Sequence, residues 1–338
     1  MQVGKLPNQM LARLLEKIPR RDPRIVLGPG IGRDAAVIDA GGPRLLVAKS
    51  DPITFATDHI GRYAVHVNAN DVACLGARPA WFMAAVLLPE GCEPFLAEAI
   101  FDQIVATCDS LGIELVGGHT EITFGLDRPI VAGALLGEVD RDRLVTPEGM
   151  RPGDALILTK GIAIEGTSVL AREAGRRLLA LGVPSEEVDA GRDYLLRPGI
   201  SVVPEAMAAT AAVRVHAMHD PTEGGLATAL YELAEAAGVG IAVREEEIEV
   251  LPQTRIFCTG AGLDPMGLLA SGALLLTVAE ADCDQALAAI RAVGVPARRI
   301  GSVLPPEAGV IIEGKSGQKP VPRFSRDEVA RFLSEQPG

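Results

Sequence analysis

The sequence predicts two domains in one chain: a mixed α+β domain over residues 1–145, then an α/β domain over residues 146–338. Three observations lead there. The chain has 338 residues, more than the roughly 100–200 of one ordinary domain. Hydrophobic residues make up 48% and charged residues 22%, a composition that builds a core and lies far from that of a disordered chain. The tract from Arg141 to Asp154 is polar and rich in turn formers, which places the boundary there.

The first domain opens on a helix, because Leu11, Leu14, Leu15 and Ile18 repeat at the spacing of one helical face. Two apolar runs follow, Ala35–Ile38 and Leu45–Ala48, joined by a glycine-rich turn as in a hairpin. Ile60–Leu75 has helical spacing and stops at Gly76. A strand over Trp81–Leu88, a helix over Pro94–Leu111, a short strand over Ile113–Val116, a loop GlyGlyHisThrGlu and a strand over Ile130–Val139 complete the domain. Helices that alternate with strands and hairpins make it mixed. The second domain restarts with a strand over Ala155–Thr159. Helices are predicted near 166–180 and over Ile200–Ala212, then a strand toward Met218 and a helix over Gly225–Ala237. Strands Ile241–Val243 and Ala273–Val278, a helix Cys283–Val293 and a strand Gly309–Glu313 follow.

Composition narrows the function. Against 32 basic residues stand 44 acidic ones, a net charge of −12 with no long basic stripe, so nucleic acid is not an expected partner. No run reaches the roughly 18 apolar residues that a membrane helix needs, and the first residues lack the apolar core of a signal peptide. A cytoplasmic protein is expected. The five cysteines show no CxxC spacing and predict neither disulfides nor zinc. An acidic protein that binds a polyanion must use metal ions, backbone amides and a few placed cations.

Gly28-Pro29-Gly30-Ile31-Gly32 is not a dinucleotide fingerprint, since it reads GxGxG and precedes a strand, and no GxxxxGK[ST] phosphate loop occurs. What recurs is an acid at a strand end or turn beside small residues: Asp34 after Arg33, Asp51 after Ser50, Asp71 after Asn70, Glu121 in Gly117-Gly118-His119-Thr120-Glu121, and Asp220 in His219-Asp220-Pro221-Thr222-Glu223-Gly224-Gly225. Each alone is more often a local cap than a ligand. Several such carboxylates on one cleft would suit Mg²⁺, which prefers oxygen ligands shared with phosphates.

Taken in order, GlyIleGlyArgAspAlaAla, LysSerAspPro, AsnAlaAsnAspValAla, GlyGlyHisThrGlu, ArgProGlyAsp and MetHisAspProThrGluGlyGlyLeu resemble the PurM-like, AIR synthase-related superfamily. The GlyGlyHisThrGlu and AspProThr motifs, with the N-terminal GlyLysLeuPro, are most similar to its hydrogenase-maturation HypE branch. The resemblance implies an N-terminal domain whose sheet joins its twin in a homodimeric barrel, an α/β second domain, and ATP between them. It implies Mg²⁺ held by Asp34, Asp51, Asp71 and Asp220, and nucleotide contacts from Gly30, Gly32, Asn70, Gly117, Gly118, Thr222, Gly224 and Gly225. The implied activity is ATP-dependent phosphoryl transfer to a carboxamide oxygen, with a maturation protein as a possible partner and the acceptor a small molecule or a protein. A thiamine-monophosphate kinase, an aminoimidazole ribonucleotide synthetase, or an inactive nucleotide-binding accessory protein are the alternatives.

Two departures bear on this. Arg33 stands where many relatives carry a second acid, which leaves the number of Mg²⁺ ions open, and the HypE terminal cysteine has no counterpart in the closing SerGluGlnProGly. Among groups for proton transfer, His119 and His219 lie in the two most distinctive motifs. Glu121 is a candidate base or metal ligand, and Gly224 and Gly225 are placed to offer amides from a helix start. Lys49 and Lys160 read as solvated strand-end lysines.

Overall fold

The computed structural model describes residue 6 and residues 8–19, 21–30, 32–54 and 56–335. Gly4, Lys5 and Pro7 of the N-terminal motif, Ile31 of the glycine loop and the last three residues lie outside the described residues. Contacts divide the chain into two units, one made of Arg20–Gly28 with Asp34–Leu144, the other of Val145–Gly338 with Met1–Pro19 and Pro29–Arg33. The short segments on either side of Arg20–Gly28 therefore group with the C-terminal body, an exchange that local periodicity does not encode.

After α1 (Asn8–Leu15) come β1 (Ile25–Leu27), β2 (Ala36–Ile38), β3 (Arg44–Ile53), α2 (Ile60–Cys74), β4 (Arg78–Pro89), α3 (Pro94–Leu111), β5 (Glu114–Thr123) and β6 (Ile130–Asp140). The six strands form one sheet in the order β1-β2-β3-β6-β4-β5. Only β4 and β5 run parallel; the other neighbours are antiparallel. Helix α2 is buried along nearly its whole length, so it cannot show the apolar stripe of a surface helix. It packs between the sheet and α3. Helix α3 keeps a buried row, Ile100, Ile104 and Cys108, and ends on Gly112 in the left-handed region, as its sequence predicts.

The expected loop GlyGlyHisThrGlu is instead the middle of β5. Its glycines weaken any strand propensity, but Gly118 is needed here, because a Cβ would lie 2.1 Å from the Ala84 carbonyl oxygen of β4. β5 is the last strand of the sheet and is exposed along most of its length, with Val116 and Ile122 in the open.

The second unit contains β7 (Ala155–Thr159), α4 (Ile164–Glu173), α5 (Gly175–Ala180), α6 (Ser185–Arg192), α7 (Val203–Ala212), β8 (Val215–His219), α8 (Gly225–Ala237), β9 (Gly240–Arg244), α9 (Pro252–Ala261), β10 (Leu275–Val278), α10 (Cys283–Ala292), β11 (Ala297–Leu304), β12 (Val310–Gly314), β13 (Gly317–Pro320) and α11 (Glu328–Ser334). Its sheet runs β13-β12-β9-β11-β7-β10-β8. Only β9 and β12 are parallel, so helix–strand alternation here feeds a largely antiparallel sheet rather than a series of βαβ crossovers. Strand β11 escapes the sequence pattern because AlaArgArgIleGlySerValLeu carries two arginines and a glycine, although it sits in the middle of the sheet. Gly301 fits there because the neighbouring Ala242 carbonyl oxygen would stand 1.9 Å from any Cβ. Leu156, Leu158, Leu226, Leu230, Ile241 and Ile300 lie in one apolar core that joins this sheet to α8.

Candidate functional site

Strand β3 and helix α2 build the acidic site of the first unit. Successive residues of a strand alternate faces, so Lys49 and Asp51 share one face of β3. Helix α2 is tied to that strand by Asn68, whose amide donates to the Ala64 carbonyl at 2.8 Å and to the Asp51 carbonyl at 3.2 Å. The tie is possible because Asp51 pairs with Gly133 of β6, where a Cβ would stand 2.4 Å from the Asn68 amide nitrogen. Asp71, three residues on from Asn68, falls on the same side of α2 and reaches Lys49: Asp71 Oδ2 lies 2.8 Å from Lys49 Nζ, and Asp51 Oδ2 lies 3.4 Å from it.

The electrostatics follow from burial. Asp71 is 5% exposed at its side chain and Asp51 40%. Burial, with the charges of Asp34 and Asp51 and against the pull of Lys49, pushes the Asp71 carboxyl up to about 7. Burial alone would lower the Lys49 ammonium, but Asp71, Asp51 and Asp34 outweigh it and hold the group above its usual range. Lys49 is thus not the solvated strand-end lysine that its position suggests. The signal for it was present as the spacing of Lys49 and Asp51, which puts both on one strand face. Asn68 left no comparable signal, since its role depends on a glycine 65 positions away in the chain. Asn70, a candidate nucleotide contact, is fully buried within α2.

Asp51 and Asp71 meet around one ammonium, the charge of Asp34 acts on Asp71 and Lys49, and all three acids offer oxygen. Such a set suits a hard divalent cation better than a thiophilic one. The residues present therefore fit Mg²⁺.

On β5, His119 and Glu121 share a face and meet, Nε2 to Oε2, at 3.0 Å, while the Thr123 hydroxyl donates to the other Glu121 oxygen. Those hydrogen bonds hold Glu121 below the ordinary carboxylate range. The pair is exposed, and Gly117 and Gly118 line the adjoining groove with Val116 and Phe101.

In the second unit His219 ends β8, 3.3 Å from Glu232 of α8, and Asp220 is buried just after it. The Gly224 and Gly225 amides, expected to be offered at this helix start, are engaged within the protein. The Gly224 N–H donates to Asp327 Oδ2 at 2.7 Å and the Gly225 N–H to the Thr222 carbonyl at 3.0 Å. Both glycines are required for another reason: their φ angles of 86° and 67° are left-handed, and at Gly225 a Cβ would meet the Met266 carbonyl oxygen at 2.5 Å. Thr222 also accepts from the Ala270 N–H, which fixes the turn. Asp327 was absent from any sequence motif, yet it is buried and accepts from Gly224 and Val329. At the glycine loop, Gly32 has φ 70° and lies against the Glu232 carbonyl, Arg33 pairs with Glu148 at 2.8 Å, and a Cβ on Gly30 would strike the Arg33 side chain. Lys160 is also not solvated: its ammonium meets Glu205 at 2.7 Å and the Ser201 and Gly272 carbonyls at 2.5 and 2.8 Å. His216 is bonded to Asp154 at 2.7 Å, which accounts for it structurally.

Comparison with known proteins gives the family. Residues 32–139 match the N-terminal domain of AIR synthase related protein, and residues 151–313 its C-terminal domain. The chain is 33% identical to the carbamoyl dehydratase HypE of Cupriavidus necator over 278 residues, which are 80% of this chain and 76% of that protein. Among solved structures it is similar to hydrogenase maturation protein HypE in complex with ATP, with TM-score 0.72, 26% identity, and coverage of 97% of this chain and 98% of that one. A HypE–HypF complex shares the fold at TM-score 0.72 and 21% identity, over 87% of this chain and 94% of that one.

Proposed function

The chain belongs to the AIR synthase-related family, and on that premise we propose that it is an ATP-dependent enzyme of the HypE kind, which uses Mg-ATP to dehydrate a carboxamide in hydrogenase maturation. The relative at 33% identity is a carbamoyl dehydratase, and a relative of the same fold has been solved with ATP. The observation that carries the reading onto this chain's own residues is the meeting of Asp51 and Asp71 around Lys49, at 3.4 and 2.8 Å.

Mg-ATP, when bound, supplies the phosphoryl group that turns an amide oxygen into a leaving group. The oxygen departs as phosphate, the two amide protons leave, and the carbon–nitrogen bond becomes triple. Asp34, Asp51 and Asp71 are the residues to hold the metal, and the resemblance adds Asp220. Lys49 offsets their repulsion, and Asn68 keeps α2 and β3 in register so that Asp51 and Asp71 stay on one centre. Catalysis of this kind rests on positioning and electrostatics. In this reading Glu121, oriented by His119 and Thr123, is the base that accepts a proton from the acceptor amide. The carboxamide acceptor in this reading is a small molecule or a maturation partner.

The exposed β5 edge supports a homodimer. Its free backbone groups and the apolar Val116 and Ile122 are what a second copy would cover. A cytoplasmic location agrees with five free cysteines and with the absence, among the described residues, of a helix long and apolar enough to cross a membrane.

Isothermal titration tests the reading. Wild-type protein should bind Mg-ATP, and Asp51→Asn combined with Asp71→Asn should abolish that binding while circular dichroism shows the variant folded. Equal binding by the double variant would refute it.

A further inference from the structure

We propose that Lys49 is a resident counter-ion that stands in for one divalent cation, so that this site binds one metal ion fewer, or binds it more weakly, than its carboxylates alone would. The inference rests on the reading of Asp34, Asp51 and Asp71 as a metal site, and it concerns which cation each carboxylate serves.

Geometry carries it. Lys49 Nζ contacts Asp71 Oδ2 at 2.8 Å, an ordinary distance for a charge-assisted bond, and stands 3.4 Å from Asp51 Oδ2. It approaches from the strand that carries Asp51. The Lys49 side chain is 19% exposed and that of Asp71 is 5%. Removing one member of such a pair leaves an uncompensated charge that is largely out of water. The lysine therefore does in the metal-free protein what a divalent ion would do in a cluster of acids only.

A metal that used Asp71 Oδ2 would have to approach to about 2.1 Å, close to the place the ammonium holds, and two cations so near each other repel. A metal at Asp71 therefore competes with the ammonium, and the more open Asp51 is the less encumbered of the two carboxylates.

The test is Mn²⁺ binding to the full chain, read by electron paramagnetic resonance of free Mn²⁺, for wild type, Lys49→Met and Lys49→Arg. Lys49→Met should bind one more Mn²⁺ per chain, or the same number about tenfold or more tightly. Its melting temperature should fall without metal and recover with Mn²⁺ by more than the wild-type shift. Lys49→Arg, which keeps the charge, should match wild type in stoichiometry. Unchanged stoichiometry and affinity in Lys49→Met would overturn the proposal. So would failure of Lys49→Met to fold in saturating Mn²⁺, because a divalent ion should replace what the lysine supplied. Mn²⁺ alone is the probe, so loss of the nucleotide reading, seen as no Mg-ATP binding by wild type, is a separate result.

Discussion

At the scale of the residue, most of the chemistry turns on single side chains whose charge is set by burial. Asp327 shows this best. It accepts from the Gly224 and Val329 amides while buried, and burial, against those amides, pushes its carboxyl up to about 6. The sign is fixed by the direction of the shift. The folded state holds this proton more tightly than the unfolded chain, whose value is 3.8, so its contribution to stability is fully present below the unfolded value and is lost as pH rises through about 6. The difference is on the order of 3 kcal/mol. Asp327→Asn should remove that slope. Urea unfolding followed across this window should show wild type losing stability relative to the variant, and parallel curves would count against the assignment. Residues such as Asp327 and Asn68 were invisible in the sequence because an Asp or Asn has no local pattern when its partner comes from a distant segment. Lys49 and Asp51 were partly visible, because two residues apart on a strand means one face.

At the scale of the element, the long regular segments were legible and the glycine-bearing ones were not. Pro94–Leu111, Ala155–Thr159 and Gly225–Ala237 match their sequence expectations at both ends, because proline, glycine and periodicity mark them. The GlyGlyHisThrGlu motif, by contrast, reads as a loop from its glycines and is a strand because β4 approaches so closely that a side chain at Gly118 would not fit. The same close approach positions the site. A methyl group at Gly133 would meet the Asn68 amide nitrogen at 2.4 Å. Gly133→Ala should push Asn68 off the Asp51 carbonyl, destabilise the protein by about 1–3 kcal/mol and weaken Mn²⁺ binding. A denaturant melt and a metal titration on the same sample would show both effects. A loss of stability with metal binding intact would mean that Asn68 does not set the position of Asp51.

At the scale of the whole molecule, assembly is the next question. β5 ends its sheet with an unpaired edge that exposes Val116 and Ile122, a hazard unless something covers it. Ile122→Asp should convert a dimer to a monomer of unchanged helix content, as read by light scattering and circular dichroism. A wild-type monomer at all accessible concentrations would remove the dimer from the proposal. By itself, the sequence determined a two-domain organisation of mixed helix and sheet, the helix and strand types of most segments, and the ordered acid-and-glycine motifs that point to this family, all of which are local in the chain. Only the tertiary structure decided that Lys49 sits half-buried between Asp51 and Asp71, that Asp327 takes the Gly224 amide, and that the GlyGlyHisThrGlu segment is a strand. The reason is physical: periodicity and turn chemistry act between neighbours in sequence, whereas charge pairing and close backbone approach act between neighbours in space.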